Sequence, residues 1–406
     1  MGSRKPQGDA QEDGGENGED AQDGESGPER NTALESFFDL AFVFVFTQVT
    51  RVLTDHPTWL GLAQATALML ALWWSWCTYS WLTSGLAAHE VIFARLMVLG
   101  AMVPLMLGAM AIPTAFGQGG LLFGLSYFAV RVLHLSLYAL ATRGEREKQR
   151  AVWRLAPGFL GGSLLLVAAG LVHGVPKALL WAAALGVDYA TPLARDTSGL
   201  TIHAKHFAER YALVIILALG ESIAGIGIDA PDLRWRTLLG AALTVVVAAA
   251  LWWTYFDYTH HGATQLLQRA QGRERSRLAR DAFTYLHLPL VAGILLVADG
   301  LDHVIVHPEA SLDTVPALAL SGGAALYLLG LTGFRLRNVG EWSVPRLVAG
   351  LGALALYPLM HAASGLVSVA ALAALLVGLA AVEALFPNRH RRKVREAAPD
   401  GLGASP

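Results

Sequence analysis

The sequence predicts an all-α membrane protein of about twelve transmembrane helices. Three observations carry that prediction. Of 406 residues, 54% are hydrophobic and only 15% are charged, where a soluble chain carries about 25% charged residues. The apolar residues fall in blocks of about twenty, the length that spans a ~30 Å hydrocarbon core. Lysine and arginine collect in alternate connections between those blocks, as the positive-inside rule requires.

Taken in order, the predicted spans lie near 36–55, 59–82, 91–112, 119–141, 152–172, 176–192, 205–227, 234–257, 282–301, 314–334, 345–363 and 365–386. The sixth is short, and the last two are separated by little more than Ser364-Gly365, so eleven or thirteen spans are the neighbouring counts. One side of the membrane receives Arg143, Arg146, Lys148, Arg150 and Arg154, then Arg195 and Lys205. Arg269, Arg273, Arg275, Arg277 and Arg280 fall on that side too, followed by Arg335, Arg337 and Arg346. The other side receives little beyond Lys177, Arg234 and Arg236. Both termini are therefore expected in the cytoplasm, and the parity favours twelve spans.

The ends differ in kind. Residues 1–30 hold nine acids and three bases, with no aromatic or branched apolar side chain, a composition expected to stay disordered. Residues 388–406 begin with Arg389, Arg391, Arg392, Lys393 and Arg395, which read as a cytoplasmic anchor at anionic headgroups. No cleavable signal peptide is expected, because the first apolar run starts near Phe37 and is too long for one. The net charge of −2 gives no reason to expect nucleic acid, and the single cysteine, Cys77, excludes an intrachain disulfide.

A repeat divides the spans. Leu72-Trp73-Trp74-Ser75-Trp76-Cys77-Thr78-Tyr79-Ser80 resembles Leu251-Trp252-Trp253-Thr254-Tyr255-Phe256-Asp257-Tyr258-Thr259. Phe37-Phe38-Asp39 opens span one, and Phe207-Ala208-Glu209 opens span seven. Residues 31–192 and 193–387 are thus expected to be two six-helix repeats. Six is even, so the repeats share one orientation, and sites in such folds lie at the repeat interface.

An ionisable side chain inside a span costs about 2.5–3.5 kcal/mol on insertion scales, so each one needs a partner, water or a nearby interface. Arg95, Arg131 and Arg210 are the arginines within spans. Arg131 and Glu221 each lie more than two turns from a span end, and their mutual pairing is the cheapest solution. Glu35 and Asp39 are four apart and share a helix face, and Thr47 lies near it. In span seven, His206, Arg210 and Glu221 share a stripe, with Glu209 a quarter-turn away. Glu35, Asp39, Thr47, Glu209, Arg210 and Glu221 are therefore the candidate lining of a solute or ion pathway, in which a protonating acid would couple transport to protons. Asp188, Asp257, Asp299 and Glu383 lie closer to span ends and read as interfacial.

Other chemistry finds little footing. His260-His261 and His303…His307 have ligand-like spacings with no second cluster to complete a metal set. Gly225-Ile226-Gly227 follows no strand and is no nucleotide loop. Gly120…Gly124 and Gly158…Gly162 suit close helix packing. With no nucleophile or metal set, no enzyme and no cofactor are expected. The expected partners are the bilayer, a small solute or ion and, as one option, a second copy of the chain.

Glu35-Ser36-Phe37-Phe38-Asp39-Leu40-Ala41-Phe42-Val43-Phe44 resembles the E-x-F-F-D-L-x-F-V-F opening of the bacterial low temperature requirement A (LtrA) family. His206-Phe207-Ala208-Glu209-Arg210 and Ala218-Leu219-Gly220-Glu221-Ser222 resemble its second hallmark, H-F-x-E-R followed by A-L-G-E-S. The resemblance extends over about residues 31–390, with Tyr285-Leu286-His287-Leu288-Pro289 also similar. It implies a multi-pass protein of the bacterial plasma membrane, named for growth in the cold, and supplies no substrate. A shorter pattern, Phe37-x-Asp39 with Thr47 eight residues later, is similar to the F-S-D…T opening of each repeat of endolysosomal two-repeat potassium channels. Phe38 stands where that pattern has serine, and span seven has Leu217 where it has threonine. Two functions follow: a transporter or channel with an acid-lined pathway, or a non-transporting scaffold or stress sensor whose buried charges are structural pairs.

Overall fold

Helices occupy the predicted intervals, and the reason is the one that placed them: apolar runs of this length satisfy their backbone only by coiling. The computed structural model describes residues 33–85, 92–195, 199–229, 233–257 and 259–385. The expectations for residues 1–30 and for the basic cluster after 388 lie outside that range. The described residues belong to one compact unit, Asn31–Pro406.

The first six helices are α1 (Ala33–Asp55), α2 (Trp59–Gly85), α3 (Ile92–Ala111), α4 (Gly120–Ala141), α5 (Arg146–Gly170) and α6 (Val175–Ala194). Then come α7 (Ala204–Asp229), α8 (Trp235–Phe256), and the short α9 (Thr259–Arg269) and α10 (Gly272–Leu278). A π-helical stretch, Ala279–Tyr285, leads into α11 (Leu288–Val306). The chain ends with α12 (Thr314–Val339), α13 (Val344–Ala355), α14 (Tyr357–Ala362) and α15 (Gly365–Leu385). No strand occurs among the described residues.

Ten helical segments of the described residues are long and apolar enough to cross a membrane. Two further helices, α6 and α7, are 20 and 26 residues long and interrupted by charge: Lys177 and Asp188 in the first, Lys205, Glu209, Arg210 and Glu221 in the second. Exposed apolar stripes mark the outer surface. Along α3, Leu96, Leu99, Val103, Leu107 and Met110 recur every three to four residues and are all exposed, as on a helix whose solvent is lipid rather than water. On α1, Phe37, Leu40 and Phe44 are exposed, while Phe38, Phe42 and Phe46 on the other side are buried.

The centre of the molecule is α1, α2, α7 and α11. The α1 helix packs on α2, α3, α7 and α11, and α7 packs on α8 and α11. Neighbour relations recur along the chain. In the first half α3 packs on α4, α4 on α5, α5 on α6 and α2 on α6; in the second, α11 packs on α12, α12 on α13, α13 on α15 and α8 on α15.

Both glycine pairs mark close helix crossings. A Cβ on Gly124 would stand 2.7 Å from the Leu166 carbonyl oxygen of α5, and one on Gly162 would stand 2.6 Å from Asp188 Oδ1 of α6.

Candidate functional site

The N-terminal end of α1 carries a cluster of buried charge. Glu35 and Asp39 face α7, where the four-residue step from His206 to Arg210 puts both basic groups on one stripe. His206 Nε2 lies 2.8 Å from Glu35 Oε2, and Arg210 Nη1 lies 3.6 Å from Glu35 Oε1. Arg210 Nη2 donates to Asp39 Oδ1 at 2.5 Å. The α2 helix closes the cluster. Trp76 Nε1 donates to the same Asp39 oxygen at 2.9 Å, Arg210 Nη1 donates to Thr83 Oγ1, and the guanidinium carbon lies 5.8 Å from the Trp76 ring centroid. Asp39 is 1% exposed and Arg210 0%, so these bonds act away from bulk water. Two carboxylates face one guanidinium and one imidazole.

Further along α1 the same face stays polar. Thr47 donates to Glu221 Oε2 of α7 at 2.7 Å. One helical repeat later, Thr54 donates to Asp299 Oδ1 of α11 at 2.7 Å. Glu35, Asp39, Thr47 and Thr54 thus form a seam of polar contacts. At a rise of about 1.5 Å per residue, the 19 residues from Glu35 to Thr54 cover about 28 Å, close to the thickness of a bilayer core. Beside the seam, Phe38, Phe42 and Phe46 fill the interior, with ring centroids 5.7 and 6.4 Å apart and exposures of 2% or less. The packing here is dry and aromatic.

The structure corrects three expectations. Arg131 pairs with Asp188 of α6, not with Glu221: Nη2 lies 3.2 Å from Asp188 Oδ2. Tyr127 completes the unit, accepting from Arg131 at 2.6 Å and donating to Asp188 at 2.6 Å, and Thr78 accepts from Nη1 at 3.1 Å. Asp188 is 1% exposed, so it is a core residue rather than an interfacial one. Glu209, expected on the pathway, lies outside the seam: its side chain is 33% exposed and 4.0 Å from Lys205. Arg95 sits in the first turn of α3 and is exposed, which removes the need for a buried partner.

Other residues surfaced only in three dimensions. Trp76, Thr83 and Thr54 carry no sequence mark that separates them from ordinary helix neighbours. In the second half, Arg346 of α13 holds Glu383 of α15 at 2.7 Å, so two ion pairs, one in each half, tie a later helix to the sixth or last. The π-helical stretch offers Thr284 to three aromatic side chains: Trp73 Nε1 donates to its carbonyl oxygen at 2.9 Å, Trp81 Nε1 donates to its Oγ1 at 2.9 Å, and the Tyr211 hydroxyl shares a hydrogen bond with its Oγ1 at 3.1 Å. His287 Nδ1 lies 3.1 Å from the Ala282 carbonyl oxygen and must donate to it, leaving Nε2 to accept from Tyr255 at 2.8 Å. No group of three His, Cys, Asp or Glu placed to hold a metal occurs among the described residues.

Comparison with known proteins adds a family. Residues 30–381 match the model of the bacterial low temperature requirement A protein (LtrA). An uncharacterized protein of Rhizobium meliloti (strain 1021) is 34% identical over 315 residues, covering 73% of this chain and 75% of the relative. No solved structure matches the chain.

Proposed function

The chain belongs to the bacterial low temperature requirement A family of multi-pass membrane proteins, and from that premise we propose that it is a plasma-membrane transporter or channel for a small solute or ion, closed in this conformation. The observation that carries this reading is the polar seam of α1. An isolated structural pair needs one level of the membrane; contacts at Glu35, Asp39, Thr47 and Thr54 cover its full thickness. Polar groups at that depth are costly and mark functional paths by default. Closure comes from the Arg210–Asp39 bond and the packed rings of Phe38, Phe42 and Phe46, which must separate before water can follow the seam.

The same proposal includes twelve spans, both termini in the cytoplasm, and two parallel six-helix repeats divided at about residue 192. The recurring neighbour order of the two halves supports the repeat, as does an arginine–acid pair in each. The short likeness to two-repeat potassium channels makes potassium one ion of a panel; Thr47, which that pattern singles out, is engaged here by Glu221.

A second reading has its own support. Glu35 and Asp39 are already paired and almost inaccessible, as expected of a scaffold or sensor in which charge serves only to fasten α1 to α7. Flux separates the two. The full chain in liposomes is expected to pass protons or an ion of the panel, and Asp39→Asn or Glu221→Gln to change that flux at unchanged yield of folded protein. Absence of flux across a broad panel sinks the transport reading and leaves the scaffold.

A further inference from the structure

Beside the far end of the seam lies a cavity of about 260 Å³ between α1, α2, α11 and α12. Apolar cavities of about 150 Å³ in proteins take up benzene, so this one has room for a ring or a short alkyl chain with a head group. Leu53, Met69 and Leu295 supply apolar wall. Thr50 and Thr66 also line it, but their hydroxyls donate to the Phe46 and Leu62 carbonyl oxygens of their own helices, at 3.0 and 2.7 Å.

Asp299 is the exception in that lining. Its side chain is buried, and only one oxygen is engaged by a hydrogen bond, from Thr54 to Oδ1. Oδ2 has no hydrogen-bond partner among the described residues. The nearest basic group, His303 Nδ1, lies 4.0 Å away and faces the Asp299 backbone carbonyl oxygen at 2.9 Å, to which it must donate. Asp302, a second acid, lies one turn further along α11. A carboxyl oxygen left without a donor in such a place costs free energy that a ligand can recover.

We infer that this cavity is a binding site for a lipophilic ammonium ion, its N–H donating to Asp299 Oδ2 once the carboxyl turns that oxygen, closed off in this conformation, toward the cavity, and its apolar body lying against α1, α2 and α11. An acyl chain would satisfy the walls and leave the oxygen unpaired. A carboxylate would be repelled by Asp299 and Asp302. Access runs past the exposed Thr66 and the half-buried Leu62, Leu288 and Leu296, from the apolar surroundings rather than from water, which favours a cation that partitions into lipid. The site does not require that the cation be carried across.

The test uses the full chain in detergent, with unfolding followed by tryptophan fluorescence. Benzylammonium is expected to raise the midpoint saturably, whereas benzyl alcohol and phenylacetate leave it within error. Asp299→Asn should weaken benzylammonium by about tenfold or more. Ala292→Phe, which fills the cavity and leaves Asp299 in place, should abolish the shift and covers the case in which Asp299→Asn fails to fold. Equal shifts from benzylammonium and benzyl alcohol would mean apolar occupancy alone and overturn the proposal, as would no shift at all, or a shift that survives Ala292→Phe. Binding in detergent without flux in liposomes removes the transport reading and leaves this site; flux without binding removes this site alone.

Discussion

At its N-terminal end α1 brings Glu35 and Asp39 against Arg210, His206, Trp76 and Thr83, and the two acids share an arginine between them. Near its other end it brings Thr54 to Asp299, which keeps one oxygen beside a cavity. Acids are buried in both places, to 5% exposure or less. The difference lies in what answers them. A guanidinium whose fork is held by two acids and a hydroxyl has little left to offer a ligand, so in this conformation the first end holds α1 to α7. A carboxyl group with a single hydroxyl donor has an acceptor to spare, so the second is built to receive. Neither depth nor an undonated oxygen distinguishes the two uses by itself, because Asp39 Oδ2 and Asp299 Oδ2 both lack a hydrogen-bond donor among the described residues; the guanidinium beside Asp39 and the cavity beside Asp299 do.

The comparison breaks most visibly at Arg210. Arg210→Met leaves Glu35 and Asp39 buried without their cation, at about 3–5 kcal/mol for the broken pair, and folded protein should be largely lost. Adding Glu35→Gln and Asp39→Asn removes the stranded charge and should recover most of the midpoint in the same thermal scan. Failure of that rescue would mean that the cluster does more than fasten two helices.

Next in size is the pair in the first half. Arg131→Met should cost about 3–5 kcal/mol for the same reason. Asp188→Asn is expected to restore much of it, and Glu221→Gln none. A double-mutant cycle in detergent decides between the two partners, because residues in one ion pair couple by up to about 3 kcal/mol while separated ones add.

A third variant probes the crossing of α7 and α11. A Cβ on Gly225 would fall 2.1 Å from Asp302 Oδ1. Gly225→Ala must displace the Asp302 carboxyl or part the helices, at up to about 3 kcal/mol, and the lowered midpoint should come with a weakened benzylammonium response, since Asp302 and Asp299 share a helix.

How much of this was legible in the sequence follows from what each signal measures. Run length locates helices because the bilayer fixes it, and each predicted interval is helical, with the interval 345–363 broken into α13 and α14. Depth within a run showed that Arg131 must have a partner, but the choice of Asp188 over Glu221 depends on which helices are neighbours, and no spacing along the chain encodes that. Asp188 was read as interfacial from its place near a span end, yet Gly162 lets α6 approach so closely that the carboxylate is sealed in. Glu209 and Arg210 are adjacent, and one residue turns a helix by about 100°; that angle separates them, but nothing in the spacing encodes which direction faces α1. The tryptophan motifs teach the same lesson. Trp73 and Trp74 are 1–2% exposed, whereas their counterparts Trp252 and Trp253 are 43% and 41% exposed. Equal motifs stand in unequal surroundings because α2 is enclosed by α1, α4, α6, α7 and α11, and α8 presents this face outward.

The smallest expected effect is the sharpest test of the difference between the two ends. Thr47→Val and Thr54→Val each remove one hydroxyl donor to a buried acid with little change of shape, and each should cost about 1 kcal/mol. By stability alone the two are alike. They should part in the ammonium response. Thr54→Val frees the second oxygen of Asp299, so a bound cation gains a further acceptor at the cavity wall, and the benzylammonium shift should grow relative to the unliganded midpoint. Thr47→Val changes a contact to Glu221, about 10 Å away along α1 at ~1.5 Å per residue, and should leave that shift as it was. If the two variants respond equally, Asp299 is one more fastening, and the distinction between the ends of α1 falls with it.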